Sequence, residues 1–239
     1  MIIDVFKTGL FEPLKPFNDD IIAILDAVCI QGEDGEYYYR AEPERRISRW
    51  FDPSKQKTLP FPRHWPNTIP ANDDPKYCLL ENYPSYASIF VINELYGDNK
   101  DVMIEDVCCG QAKFAFFLSK LGFKNFSLIE NFSELRPEFL IATMAAGGIT
   151  YKLNAPTEDV KPVIMNHVAY PSLVREITPS IELLCVYNNE RAVKVADELT
   201  NFKWVAIDTD GLLSVYARLD KYDLFHSKLA KYEVLRPNK

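Results

Sequence analysis

The stretch IEDVCCGQAKFAFFLSKLGFKNFSLIEN, residues 104–131, joins a buried-strand pattern to a run of small residues, a helical pattern and a second strand that ends on an acid. We predict a strand over residues 102–107, a helix that stops at Gly122, and a second strand over 126–130. Two parallel strands joined by a helix form a right-handed unit. The stretch therefore predicts an α/β fold built on a mostly parallel sheet.

The alternation of strand and helix patterns continues towards the end of the chain. We predict a third, a fourth and a fifth strand over residues 149–153, 181–187 and 202–208. Asp210-Gly211 is a hairpin signal, so LLSVYARL is either a return strand or the start of a helix that runs through KYDLFHSKLA. YEVLR is expected to form an edge strand. The expected architecture is a doubly wound, mostly parallel, seven-stranded-type sheet.

The first part of the chain has a different character. Helices are predicted over 19–31 and 84–96, and between them residues 33–75 are rich in proline, aromatic residues and arginine without a sustained period. The many aromatic side chains favour an ordered cover over disorder. We therefore predict two units, an N-terminal helical and irregular cap over residues 1–96 and a Rossmann-like domain over 97–239.

Composition excludes several classes of function. The 239 residues include 27 Lys and Arg against 34 Asp and Glu, and the net charge of −7 disfavours a broad nucleic-acid surface. Five cysteines, mostly in apolar runs, do not resemble a secreted disulfide framework, so we expect a cytoplasmic protein. We expect neither a membrane span nor a metal site, and the sequence leaves the oligomeric state open.

The turn after the first strand of the domain has the composition of a ligand-binding turn. Cys108, Gly110 and Ala112 are small residues at alternate positions after Asp106, which lets backbone approach a ligand closely. Glu130 follows about twenty residues later, at the end of the second strand, where a carboxylate can accept hydrogen bonds from ribose hydroxyls. Turn and acid together predict a site for an adenosine-containing ligand.

Asp106 to Ala112, DVCCGQA, resembles the first motif of the class I S-adenosylmethionine-dependent methyltransferases, with Cys108, Gly110 and Ala112 at its three glycine positions. Over residues 97–210 the resemblance implies that the chain binds S-adenosylmethionine. The implied cofactor contacts are Asp106, Cys108, Gly110, Ala112, Glu130, Asn131, Asn154 and Ala155. A nicotinamide-dependent oxidoreductase is the competing interpretation, but Lys113 fits its third glycine position badly.

The methyl acceptor is expected beyond the fourth predicted strand, where the resemblance implies substrate contacts from Tyr187, Asn188 and Asn189. The sequence YNNE is not the motif of enzymes that methylate DNA bases, so DNA is not the expected substrate. An oxygen acceptor would need a general base, and His167 is the best-placed histidine in the sequence. We therefore name His167 and Tyr187 as candidate catalytic residues.

The substrate prediction depends on the cap. Arginines such as Arg40 bind phosphate and carboxylate groups in bidentate fashion, and Tyr86 could close over the site. The leading hypothesis is a methyltransferase that acts on a small, anionic metabolite such as a phosphorylated or nucleotide-linked sugar. The alternative is a non-catalytic methyltransferase-like module that binds a partner protein through aromatic cap residues such as Trp50 and Trp65.

Overall fold

A computed structural model describes twelve stretches of the chain: residues 1–4, 12–31, 37–39, 86–109, 112–129, 145, 147–148, 150–153, 157–174, 177–187, 190–208 and 212–234. The strands are β1 (Ile2–Ile3), β2 (Cys29–Gln31), β3 (Tyr37–Tyr39), β4 (Ile104–Val107), β5 (Asn125–Ile129), β6 (Thr150–Leu153), β7 (Ile164–Val168), β8 (Leu183–Tyr187), β9 (Phe202–Asp208) and β10 (Leu213–Arg218). The helices are α1 (Asn18–Val28), α2 (Tyr86–Tyr96), α3 (Lys113–Lys120), α4 (Thr157–Val160), α5 (Pro171–Val174), α6 (Glu190–Asp197) and α7 (Tyr222–Ala230).

Within these stretches the main sheet has eight strands in the order β1-β9-β10-β8-β7-β4-β5-β6. Strand β10 runs antiparallel to β8 and β9, and every other pairing in the sheet is parallel. Without the short edge strand β1, this is the doubly wound, mostly parallel, seven-stranded-type sheet predicted from the sequence. The predicted fold class is therefore confirmed.

Strand β7 is the element that the sequence prediction missed. It reads IMNHV, and its two polar residues, Asn166 and His167, interrupt the apolar pattern that marks a buried strand. Both side chains are nevertheless buried in the sheet. The fourth parallel strand of the domain is consequently β7, and the run over 181–187 that was predicted as fourth contains the fifth strand, β8.

Other boundaries differ by small amounts. Helix α1 ends at Val28, three residues before the predicted end, because residues 29–31 pair with β3 as strand β2. The predicted hairpin is confirmed by the antiparallel pair β9 and β10, and helix α7 follows it, so each of the two interpretations describes part of that region. Near the predicted closing strand, Glu233 forms a single antiparallel bridge with Ile3.

Helices cover both faces of the sheet, as a doubly wound fold requires. One apolar core contains side chains from α2, α3 and α7, and a second contains side chains from α5 and α6. Helix α2, which precedes the predicted boundary at residue 97, packs against α3 and α7. Most of the predicted cap lies outside the described residues, so the two-unit division stays a prediction.

Helix α3 ends at a glycine with a left-handed backbone, as predicted. The Gly122 N–H donates to the Ser119 carbonyl at 2.9 Å, and the Phe123 N–H donates to the Leu118 carbonyl at 3.2 Å. These two bonds define a Schellman motif, in which glycine tolerates the positive φ that other residues do not. At Gly122 φ is +96°.

We expect Gly122→Ala to lower the free energy of unfolding by about 1 kcal/mol, because an L side chain is disfavoured at positive φ. Steric overlap with the described residues does not add to this, since the one atom among them within 4 Å of an added Cβ is the Lys100 Cγ, at 3.9 Å. Urea unfolding measures the change. The exposed neighbour Lys124 provides the control, and Lys124→Ala should change stability by less than about 0.5 kcal/mol. Equal losses in the two variants would contradict the backbone explanation.

Candidate active site

The sheet places its topological switch point between β4 and β7. From β4 the chain continues through α3 to β5 on one side, and from β7 it continues through α5 to β8 on the other. Ligands of doubly wound sheets bind in the crevice beyond the carboxyl ends of the strands at this point. Asp106 near the end of β4 is paired in register with Asn166 of β7, so both residues lie beside the crevice.

The turn that follows β4 contains two non-glycine residues with left-handed backbone. Cys108 has a φ of 62° and Ala112 a φ of 56°. Each such residue costs about 1–3 kcal/mol and persists only where surrounding structure imposes it. Hydrogen bonds do so here, because the Cys109 N–H donates to the Ile129 carbonyl at 3.1 Å and the Ala112 N–H donates to the Cys109 carbonyl at 2.9 Å.

These two residues occupy the first and third glycine positions of the motif that the sequence resembles. The backbone therefore has, at both positions, the conformation that glycine adopts most readily, although the side chains are those of cysteine and alanine. Helix α3 begins directly after Ala112. The middle position, Gly110, lies outside the described residues.

Asp106 is the centre of the hydrogen-bonded cluster at the switch point. Its side chain is fully buried, and its Oδ1 accepts hydrogen bonds from Asn166 Nδ2 at 3.0 Å and pairs with His167 Nδ1 at 2.6 Å. Among the described residues, Asp106 Oδ2 and Asn166 Oδ1 have no partner. Asp106 thus uses one oxygen to hold two residues of the neighbouring strand.

His167 has an unusual backbone that makes this arrangement possible. Successive residues of a regular strand point to opposite faces of the sheet, so Asn166 and His167 could not both reach one carboxylate oxygen. His167 has a φ of 56°, and the pairing of β7 with β8 is irregular between Met165 and Val168. This local irregularity turns the His167 side chain towards Asp106.

Aromatic rings and a buried thiol complete the surroundings of the pair. The ring of His167 lies 5.3 Å from that of Phe114 and 5.0 Å from that of Tyr187, measured between centroids. On β8, burial raises the pKa of the Cys185 thiol, and the negative charge of Asp106 raises it further. The imidazole therefore sits in apolar surroundings with its rotation restricted by two rings.

The structure brings together Asp106, His167 and Tyr187, three of the predicted site residues, and places Cys108 and Ala112 in the adjoining turn. Asn166 was missed, although a polar pair inside a buried run was a signal that could have revealed it. Tyr86 begins α2, but its side chain is not among those described. The other predicted site residues lie outside the described part of the chain: Arg40, Gly110, Glu130, Asn131, Asn154, Ala155, Asn188 and Asn189.

The strand count changes one assignment. Tyr187, Asn188 and Asn189 were selected from the end of the fourth predicted strand, but Tyr187 is the last residue of the fifth strand, β8. The fourth strand is β7, whose last residues are Asn166, His167 and Val168. Tyr187 still lies beside the site, since its ring is next to that of His167.

Comparisons with known proteins find similarity at the level of structure. Neither a family profile nor a curated sequence matches the chain. A structure of WbdD bound to a kinase inhibitor has a TM-score of 0.43 and 10% identity over 57% of this chain and 41% of its own. A ribosomal protein L11 methylase from Lactobacillus delbrueckii subsp. bulgaricus has a TM-score of 0.42 and 14% identity over 57% of this chain and 80% of its own.

A putative O-methyltransferase from Klebsiella pneumoniae has a TM-score of 0.40 and 10% identity over 58% of this chain and 82% of its own. The chain thus spans well under half the length of the WbdD chain that it matches. Its own strand order is that of a doubly wound, mostly parallel sheet. No helix in the described part of the chain is long and apolar enough to cross a membrane.

Two alanine-to-glycine variants test whether the turn is under backbone strain. Ala115→Gly, at a buried position inside α3, should lower the free energy of unfolding by about 1–2 kcal/mol through lost helix propensity and a lost methyl group. Ala112→Gly also removes a buried methyl group, but it relieves the backbone strain of a residue with left-handed conformation. We therefore expect the free energy of unfolding to change by less than about 0.5 kcal/mol. Similar losses in both variants, in urea unfolding, would argue against strain at Ala112.

The raised pKa of Cys185 predicts slow alkylation. At pH 8 the thiol stays protonated in the folded protein, and the thiolate is the form that reacts. We expect iodoacetamide to modify Cys185 only after unfolding in urea, whereas the half-buried Cys108 should react earlier in the folded protein. Peptide mapping by mass spectrometry measures both sites, and early modification of Cys185 in the folded protein would contradict the prediction.

Proposed function

We propose that the protein transfers the methyl group of S-adenosylmethionine to a small, anionic metabolite such as a phosphorylated or nucleotide-linked sugar. The observation that carries the proposal is the left-handed backbone at Cys108 and Ala112, two of the three glycine positions of the resembled motif. A turn held in this conformation at a cost in stability, at the switch point of the sheet, is suited to a ligand that needs close contact with main chain.

Two features of the described residues are compatible with binding of S-adenosylmethionine. Small side chains at Cys108 and Ala112 leave room beside the turn, and helix α3 starts directly after it. By the resemblance, Glu130 would hold the ribose hydroxyls, Asn154 would contact the adenine, and main chain near Gly110 would hold the amino-acid part. When bound, the cofactor supplies an electrophilic methyl group on a sulfonium.

The proposed acceptor side of the site is the end of β7. Asn166 and His167 lie within the last three residues of the fourth parallel strand, β7, and the Tyr187 ring closes the cluster from β8. Methyl transfer needs mainly alignment of acceptor and methyl group and the exclusion of water. The buried ring cluster of His167, Phe114 and Tyr187 supports such an environment.

The anionic character of the substrate is proposed from the sequence of the cap. Residues 36–65 contain seven Lys and Arg, including Arg40, against four Asp and Glu, in a chain that is acidic overall. Guanidinium groups match the geometry of phosphate and carboxylate oxygens. A phosphorylated acceptor would therefore meet complementary charge if the cap covers the site.

Isothermal titration calorimetry with S-adenosylmethionine and with its demethylated product tests the cofactor site. We expect saturable binding at one site per chain. Glu130→Ala should weaken binding by roughly 10- to 150-fold, which corresponds to about 1.5–3 kcal/mol for hydrogen bonds to a charged group. The control Glu198→Ala removes an exposed carboxylate after α6, at the opposite edge of the sheet, and should leave binding unchanged.

The calorimetric outcomes test the role of Glu130 and the choice between an enzyme and a partner-binding module separately. Binding that does not depend on Glu130 would show that this carboxylate is not at the ribose. A parent protein that binds neither form of the cofactor would exclude the enzyme and leave the partner-binding module as the remaining hypothesis.

A further inference from the structure

We propose that His167 is a general base for a hydroxyl acceptor and that Asp106 is the positioning residue that fixes its tautomer. This inference rests on the proposed methyl transfer and adds the chemical class of the acceptor atom. It starts from a short contact, 2.6 Å between His167 Nδ1 and Asp106 Oδ1, in a fully buried carboxylate. A histidine oriented by a buried carboxylate is a recurring arrangement for proton abstraction.

The hydrogen bonds of Asp106 determine which nitrogen of His167 carries the proton. An ionised carboxylate can only accept hydrogen bonds, so the partner at 2.6 Å must be an Nδ1–H group. In the neutral ring Nε2 then has a lone pair and can take a proton. The Asn166 amide donates to the same oxygen at 3.0 Å, so one carboxylate oxygen contacts both residues of β7.

The backbone around His167 shows that this orientation is imposed at a cost. A positive φ in a β-strand residue other than glycine is disfavoured, and the irregular pairing between Met165 and Val168 gives up regular ladder bonds. A purely structural partner for Asp106 could come from a regular strand. Backbone strain of this kind concentrates at functional sites, and this residue lies at the switch point of the sheet.

The acceptor class follows from what a base is needed for. A carboxylate acceptor is already ionised at neutral pH and needs no base, whereas an alcohol or phenol is a weak nucleophile until its proton is removed. A positioned base therefore favours a hydroxyl group on the substrate. The hydroxyl proton passes to His167 Nε2 while the oxygen bonds to the methyl carbon. The carbon–sulfur bond of the sulfonium breaks with its electron pair staying on sulfur, and the imidazolium later releases the proton to solvent.

A spectroscopic test of the dyad needs neither cofactor nor substrate. In long-range ¹H–¹⁵N correlation spectra of the ¹⁵N-labelled protein, the three histidines give separate patterns, and His167→Gln identifies the one that belongs to His167. We expect the Nδ1–H tautomer in the parent protein and its loss in Asp106→Asn. An Nε2–H tautomer of His167 in the parent protein would overturn the proposal, and this result does not depend on whether Asp106→Asn folds.

A second experiment tests the base and the acceptor class in catalysis. The full-length protein is incubated with S-[methyl-³H]adenosylmethionine and the small-molecule fraction of a cell extract, and the labelled product is treated with alkali. We expect a label that is stable to alkali, which excludes a methyl ester, and mass spectrometry of the product should identify it as a methyl ether and not a methylamine. His167→Gln should lower its formation by on the order of 100-fold or more while cofactor affinity stays within about threefold, because a general base acts on the acceptor. The control His226→Gln alters a half-buried histidine of α7 and should change neither value.

The outcomes distinguish failure of this inference from failure of the proposed function. A labelled methyl ester or methylamine, or no labelled product from a protein that binds the cofactor, overturns the assignment of a hydroxyl acceptor. The assignment of His167 as a general base would also be overturned if His167→Gln lowered cofactor affinity by the same factor as product formation. Absence of cofactor binding in the parent protein removes the methyltransferase itself, whereas the tautomer measurement reports on the dyad in either case.

Discussion

The buried carboxylate of Asp106 is the constraint on which the organisation of this site depends. A charged group without solvent contact is costly unless donors satisfy it, and the donors here come from one neighbouring strand. Strand β7 therefore carries two polar residues, Asn166 and His167, where a strand buried on both faces would normally be apolar. The irregular backbone of β7 brings the histidine to the same oxygen that Asn166 contacts.

The same requirement explains what the sequence could and could not predict. Strand β8 is continuously apolar, β4 and β5 lie on either side of the small-residue turn and the helical pattern of α3, and the Gly122 signal ends α3, so pattern and turn chemistry were sufficient to predict them. Strand β7 has no such pattern, because its polar residues contact Asp106. Asn166 lies 60 residues from Asp106 in the sequence. The polar pair interrupted the apolar pattern of β7, and because that strand was missed, the run that ends at Tyr187 was counted as the fourth strand instead of the fifth.

His167 and Tyr187 were predicted as site residues from their places in the sequence. The structure places their rings side by side, which the sequence did not predict. Their rings meet because β7 and β8 are neighbours in the sheet, and this adjacency appears only once β7 is recognised as a strand. The turn illustrates the same limit. The motif indicated where glycine would be expected, but the left-handed backbone at Cys108 and Ala112 is set by hydrogen bonds between the turn and its surroundings.

Of the four non-glycine residues with left-handed backbone in the described stretches, Cys108, Ala112 and His167 lie around one crevice, and the fourth, Lys161, lies between α4 and β7. Each of the three around the crevice lowers the free energy of unfolding by about 1–3 kcal/mol, and a typical domain has a total stability of about 5–15 kcal/mol, so together they lower the stability substantially. Packing alone would not select them, because a regular turn and a regular strand could fill the same space without strain. Two of them shape the main chain of the turn that the proposed cofactor would contact, and the third turns an imidazole towards a buried carboxylate. Strain on both sides of one crevice is most simply explained if cofactor and acceptor meet there.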